Sequence, residues 1–110
     1  MKYIKTTEGV YEIKDGLNQT PKEIQIALIS GDYIQANTIE KLCDGFYIDD
    51  GTHNFLQEFI YEKWQYDGFT NALKEYNNLG KDYTGYGFIK TSKGLIYVAK
   101  FNKDGNLELL

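Results

Sequence analysis

Tyr3–Lys14 reads YIKTTEGVYEIK and Phe88–Lys100 reads FIKTSKGLIYVAK, so nearly the same order of apolar and polar positions occurs at both ends of the chain. Each stretch sets β-branched and aromatic residues on either side of a glycine, Glu8-Gly9 in the first and Lys93-Gly94 in the second, which is the pattern of a β-hairpin. Glycine at the tip supplies the positive φ that a tight turn demands. A further turn signal, Asn102-Lys103-Asp104-Gly105-Asn106, separates Phe101 from a last strand over Leu107–Leu110. The C-terminal quarter is therefore predicted to be a three-stranded meander. The repeat is too short and too few for a solenoid array, whose period is at least about 20 residues. It reads as two hairpins drawing on the same small set of strand and turn residues.

Between the ends the pattern turns helical. Thr20-Pro21-Lys22-Glu23 offers a cap, a proline at the first helical position and a glutamate three after the cap, with Gly31 as the stop. Ile24, Ile26 and Leu28 alternate as a strand would, but the start and stop signals favour a helix. Asn37-Thr38-Ile39-Glu40 predicts a second helix, short, with Ile39, Leu42 and Cys43 on its apolar face and Asp44-Gly45 ending it. Phe46, Tyr47 and Ile48 follow as a strand into an Asp49-Asp50-Gly51 turn. Over Asn54–Tyr66, Leu56, Phe59, Ile60 and Trp64 fall on one helical stripe that points to the core, and Gly68 ends it. A last helix is predicted over Asn71–Leu79, capped by Thr70 and stopped by Gly80. Tyr83–Gly87 reads as a glycine- and tyrosine-bearing loop.

Strands at both ends and helices in the middle predict an α+β fold. In this reading one antiparallel sheet of about five strands is built from the N- and C-terminal hairpins, neighbours in that sheet, and three to four central helices pack on it. A length of 110 residues suits a single domain over 1–110. The longest apolar run, Leu95–Ala99, is far below the ~18 residues of a membrane span, and Lys2 and Lys5 precede no continuous apolar stretch of the signal-peptide kind. The expectation is a protein of the cytoplasm with no membrane partner, and the single Cys43 suits a reducing compartment.

Charge changes the picture in one respect. The net charge is −4, and the segment from Glu40 to Asp67 holds seven acids against Lys41 and Lys63, leaving the rest about neutral. All twelve basic residues are lysines. Without arginine the chain lacks the planar fork that reads bases and grips phosphates, and no basic face is present, so nucleic acid is not an expected partner.

Candidate chemistry is sparse. His53, the single histidine, follows Asp49 and Asp50, an arrangement in which an aspartate could orient a general base. The alternative is a loop histidine beside turn-forming acids. One histidine and one cysteine are too few for a zinc site, and the acids do not follow calcium-loop spacing, so no metal is expected. Cys43 on an apolar helical face reads as a small buried hydrophobe rather than a nucleophile. No Walker-type, dinucleotide or nucleophile-elbow motif appears, so no cofactor is implied. Ten tyrosines are the one compositional excess. Tyr83 and Tyr86 are candidates for a binding patch, together with the acids Asp49, Asp50, Glu58 and Glu62, because tyrosine combines buried ring area with a hydrogen-bonding hydroxyl.

Asn37–Asp44 (NTIEKLCD) followed by an aromatic strand, with the ending Lys93–Lys100 (KGLIYVAK) and Leu107-Glu108-Leu109, resembles small uncharacterised proteins encoded by phages and prophages of low-GC Gram-positive bacteria. The likeness also takes in the first hairpin; most of Gly51–Tyr83 lies outside it. Lys41 and Gly45 depart from the pattern, which has a second acid and a bulkier or charged residue there. The resemblance implies a mobile element within a bacterial cytoplasm and carries over no site residue. The expected function is a non-enzymatic phage-type accessory protein that binds a host or phage protein. Homodimerisation through a hairpin edge or the terminal strand belongs to the same class. The enzymatic alternative is a small hydrolase or transferase using His53 with Asp49 or Asp50.

Overall fold

The two similar hairpins form where the sequence places them. The computed structural model describes residues 3–13, 22–52 and 59–110. In the first hairpin, β1 (Tyr3–Lys5) and β2 (Val10–Glu12) pair antiparallel, the Glu8 amide donates to Thr6 Oγ1 at 3.1 Å, and the Thr6 amide donates to the Gly9 carbonyl at 2.9 Å. In the second, the Lys93 amide donates to Thr91 Oγ1 at 3.2 Å, and Gly94 takes φ 109°. A threonine hydroxyl that accepts from the amide two residues on stabilises a turn. The repeat therefore shares the threonine contact and not the turn: four residues, Thr6 to Gly9, link the first two strands and only Ser92 and Lys93 link the second pair, and of the two tip glycines Gly94 alone takes the expected positive φ.

What differs from the predicted architecture is where the hairpins go. They belong to different sheets, which overturns the single sheet expected above. β1 and β2 are completed by β3 (Ile34–Ala36), a strand absent from the sequence reading, in a three-stranded antiparallel sheet of order β2-β1-β3. A second, five-stranded antiparallel sheet has the order β5-β4-β6-β7-β8. Its strands are β4 (Gly45–Asp49), β5 (Ile60–Glu62), β6 (Thr84–Thr91), β7 (Gly94–Phe101) and β8 (Leu107–Leu109). The meander β6-β7-β8 is present as read, with the Asn102–Asn106 turn organised by Asn102 Oδ1, which accepts from the amides of Asp104 and Asn106 at 2.9 and 3.0 Å.

Among the described residues two helices, rather than the three or four expected, accompany eight strands. α1 (Lys22–Ser30) ends at Gly31, whose φ is 77° and whose amide donates to the Ala27 carbonyl at 3.0 Å. Its expected cap, Thr20-Pro21, lies outside the described residues. α2 (Tyr66–Asn78) is preceded by a single 3-10 turn over Lys63–Gln65. The predicted 39–43 helix is one turn only: the Leu42 and Cys43 amides both donate to the Ile39 carbonyl, at 3.0 and 3.2 Å. Its three apolar residues are nevertheless buried together as expected.

The predicted 54–66 helix is overturned at its described end. Ile60–Glu62 pairs with β4 in the register Gly45↔Glu62, Phe46↔Tyr61, Tyr47↔Ile60. Tyr61 packs its ring 5.6 Å from Phe69 in the core, and Ile60 and Glu62 point the other way. A period of two thus wins over 3.6 because β4 offers a complete set of backbone partners. Of the predicted loop Tyr83–Gly87, only Tyr83 stays outside a strand. Thr84 opens β6, and its glycines serve close packing: a Cβ on Gly85 would sit 2.8 Å from Leu73 Cδ2, and one on Gly87 2.7 Å from Cys43 Sγ. α2 and the 39–43 turn can approach the sheet this closely only over bare backbone.

The core lies between the α2-facing side of the five-stranded sheet, α2 and the three-stranded sheet. Phe69 stacks in it at 5.3 Å from Phe46 and 5.0 Å from Phe101, and Val10, Tyr3 and Ala36 join it from the smaller sheet. One ionic clip ties the sheets. Asp44 accepts from Lys5 Nζ at 2.8 Å and from the Lys90 amide at 2.6 Å. Lys5 and Lys90 occupy the same place in the two repeats, so the hairpins meet through one carboxylate instead of through a shared ladder.

Candidate functional site

Among the described residues, those singled out in the sequence do not form one patch. Tyr86 lies within β6 and Tyr83 just ahead of it, and their side chains lie on opposite sides of the sheet. Tyr83 packs on the α2 side, 4.8 Å from Tyr76 and 6.1 Å from Phe59, with Lys81 Nζ 5.9 Å from its ring. Tyr86 is on the other face, 5.2 Å from Tyr97, which stacks at 6.1 Å on Tyr47. Burial, and then the neighbouring Tyr47, raises the Tyr97 pKa above its ordinary value, so its hydroxyl stays protonated.

The acids have structural employment. Asp49 is buried, and its Oδ1 accepts from the Gly51 amide at 2.8 Å. Asp50 Oδ1 accepts from the Thr52 amide at 2.9 Å and hydroxyl at 2.6 Å. Both are turn residues in the sense read from the sequence. Glu62 pairs with Lys90 Nζ at 3.2 Å. Partial burial pushes the Asp44 carboxyl up, but the hydrogen bonds from Lys5 and from the Lys90 amide, reinforced by both lysine charges, outweigh this and hold its pKa below the ordinary value. Glu58 and His53, and with His53 the proposed acid-base pair, lie outside the described residues. Among the described residues, no group of three or more His, Cys, Asp or Glu could hold a metal ion, and no helix is long and apolar enough to cross a membrane.

Cys43 is buried as expected. Desolvation, and secondarily the Asp44 charge, pushes its thiol up to about 12, so it carries no thiolate at neutral pH. An open hollow of about 580 Å³ lies between the β1–β2 turn and α1 and is lined by Thr6, Thr7, Tyr11, Ile26 and Ala27 with Glu8, Ser30 and Asp32 at its margin.

The feature the sequence reading missed is Trp64. Placed in the core by the 54–66 stripe, it is 82% exposed, because the stripe ends in a strand and a 3-10 turn. Everything around it is fastened. The Lys63 amide donates to the Asp44 carbonyl at 3.2 Å, Lys63 Nζ donates to the Lys41 carbonyl, and Gln65 Oε1 accepts from the Glu62 amide at 3.1 Å. The turn is thus anchored to the 41–44 segment and to β5, and the indole alone stands in water. The available signal was its immediate company, Glu62-Lys63-Trp64-Gln65, an aromatic within a polar run. The chain matches no protein-family model, no curated protein and no solved structure.

Proposed function

We propose that this chain is a small non-enzymatic protein-binding module, an accessory protein of phage type acting in the bacterial cytoplasm, and that Trp64 anchors its docking on a protein partner. The observation that carries this reading is the 82% exposed indole on a turn held at both ends. Tryptophan is the residue most enriched among interface hot spots. A pinned backbone means that docking freezes only the two side-chain torsions, so little of the binding energy is lost to ordering. The acidic run plays the smaller part in this reading, since Asp44, Asp49, Asp50 and Glu62 are already engaged within the chain.

The test is capture on the immobilised protein from a lysate of a low-GC Gram-positive host, with wild type and Trp64→Ala side by side. The expected outcome is a protein retained by wild type and lost by the variant, with unchanged circular dichroism. Truncating an anchor of this kind costs about 2 kcal/mol or more, roughly thirtyfold in dissociation constant. As the sole tryptophan, Trp64 also reports its own burial by a blue shift in emission when the captured protein is added back. Equal capture by both proteins would refute the reading.

A further inference from the structure

A second surface carries an inference independent of Trp64. Its walls are the β1–β2 turn and α1, and its shape begins at Gly9. A Cβ there would stand 3.1 Å from Tyr11 Oη and 3.3 Å from its Cζ, so bare backbone lets the Tyr11 ring fold back over the turn. From the α1 side Ile26 and Ala27 add apolar surface, and the hollow between holds about 580 Å³, the size of a cleft that takes a ligand or a long side chain. Ile26 is 57% exposed and Ile29, its neighbour on the same side of the helix, 82%. Each wall also carries an acid: Glu8 stands in the turn and Asp32 just past the end of α1, both exposed. Their main chain is fastened, since the Glu8 amide donates to Thr6 Oγ1 at 3.1 Å and the Asp32 amide to Ser30 Oγ at 3.4 Å. Their carboxylates are not. Among the described residues neither takes part in a hydrogen bond or an ion pair, whereas Asp44, Asp49, Asp50 and Glu62 are each engaged.

We propose that this hollow binds a basic segment of a partner protein, in which a lysine or arginine is flanked by apolar residues. The methylene stem of the basic residue lies on Ile26, Ala27 and the Tyr11 ring, its cationic head reaches Glu8 and Asp32, and an apolar neighbour covers Ile29. Charge complementarity selects that occupant. A chain of net charge −4 attracts a cationic segment and repels its own copy, a nucleic acid or an anionic membrane. A neutral apolar segment would fill the same volume but bring two carboxylates out of water without pairing them, which is unfavourable. Lysine and arginine meet both demands, because each joins an apolar stem to a charged head, and a cation over the Tyr11 ring gains a further attraction from the ring's negative face. The carboxylates sit on a fixed backbone, so docking orders little more than their own side chains.

Fluorescence anisotropy of a short labelled peptide of alternating leucine and lysine tests this. Wild type is expected to bind it, more weakly as salt is added, and to leave a peptide of alternating leucine and glutamate free. The double variant Glu8→Gln with Asp32→Asn is expected to raise the dissociation constant about tenfold or more. Glu75→Gln with Asp82→Asn removes two other exposed acids and so matches its net charge; this control and Trp64→Ala are expected to bind within about twofold of wild type. All four substituted acids are exposed, so the fold should persist, and circular dichroism checks it. A wild type that binds no lysine peptide up to millimolar concentration, a Glu8 and Asp32 variant that binds as wild type does, an equal loss in the charge-matched control, or equal binding of the glutamate peptide would each overturn the proposal. Displacement of the peptide by equimolar spermine would overturn the protein occupant and give the hollow to free polyamines. Binding abolished by Trp64→Ala would overturn it too, and would move the peptide to the Trp64 site with that reading intact.

Discussion

Replacing Asp44 with alanine removes a carboxylate that touches both sheets. Its two acceptor atoms are engaged at 2.8 Å by Lys5 Nζ and at 2.6 Å by the Lys90 amide. Hydrogen bonds to a charged partner contribute about 1.5–3 kcal/mol each when buried. The Lys5 and Asp44 side chains are 20% and 29% exposed, and solvent screening reduces the pair toward the surface value of under about 1 kcal/mol. The sum predicts a loss of about 2 kcal/mol, read by urea unfolding followed by circular dichroism. A double-mutant cycle with Lys5→Met isolates the ion pair, with an expected coupling of about 0.5–1 kcal/mol. The pH dependence has a definite sign. A carboxyl whose folded pKa lies below its ordinary 3.8 stabilises the fold fully above that value, and the stabilisation drains away as pH falls through the folded pKa. The gap between wild type and Asp44→Ala must therefore be widest at neutral pH and narrow in acid. Additive single-mutant losses, or a gap that does not change with pH, would show that Asp44 does not clip the sheets.

Two further predictions concern the packing beneath β6. Gly87→Ala drives a methyl to 2.7 Å from Cys43 Sγ, an overpacking that costs about 1–3 kcal/mol; combining it with Cys43→Ala vacates the contact, so the double variant should be more stable than the sum of the single losses predicts. Cys43, buried with its thiol held at about 12, should resist alkylation by iodoacetamide at mildly alkaline pH in the folded protein and react freely in denaturant, as followed by mass spectrometry; rapid labelling of the folded state would place it at the surface.

Local signals were legible and pairing was not. The hairpin turns at Glu8-Gly9 and Lys93-Gly94, the Gly31 stop of α1 and the joint burial of Ile39, Leu42 and Cys43 follow from residues close in sequence, and the structure contains them, with the expected positive φ at Gly94 but not at Gly9. The strand state of Ile60–Glu62 is supplied by β4, some fifteen residues earlier, and competes with a helical stripe through Leu56, Phe59, Ile60 and Trp64 that looks equally good in isolation. Gly68 compounded the error. Read as a stop, it lies inside α2, in open space, where it breaks the run of Phe69, Leu73 and Tyr76 that would otherwise have announced the helix at Tyr66. The placing of Tyr83 and Tyr86 was illegible for a related reason: as a loop they could converge, but β6 takes up the chain from Thr84 and turns Tyr86 to the face away from Tyr83.

The repeat that opens and closes the chain acquires its meaning from this architecture. Equal hairpins in one sheet would have joined the termini by backbone ladders, which are indifferent to side-chain identity. Equal hairpins in two sheets need a side-chain connector, and Asp44 supplies it by receiving the ammonium of Lys5 and the amide of Lys90, the same repeat position used through two different groups. The same segment also fixes the turn that carries Trp64, because the Asp44 carbonyl accepts from the Lys63 amide. Sheet junction and exposed indole are thus coupled through one residue's main chain and side chain. Loosening the junction should therefore loosen the anchor: Asp44→Ala keeps the main-chain carbonyl that accepts from the Lys63 amide, but the segment that carries it is no longer held by Lys5 and the Lys90 amide. A partner that depends on the indole should then bind more weakly to Asp44→Ala than its folded fraction accounts for, and binding in strict proportion to that fraction would uncouple the two.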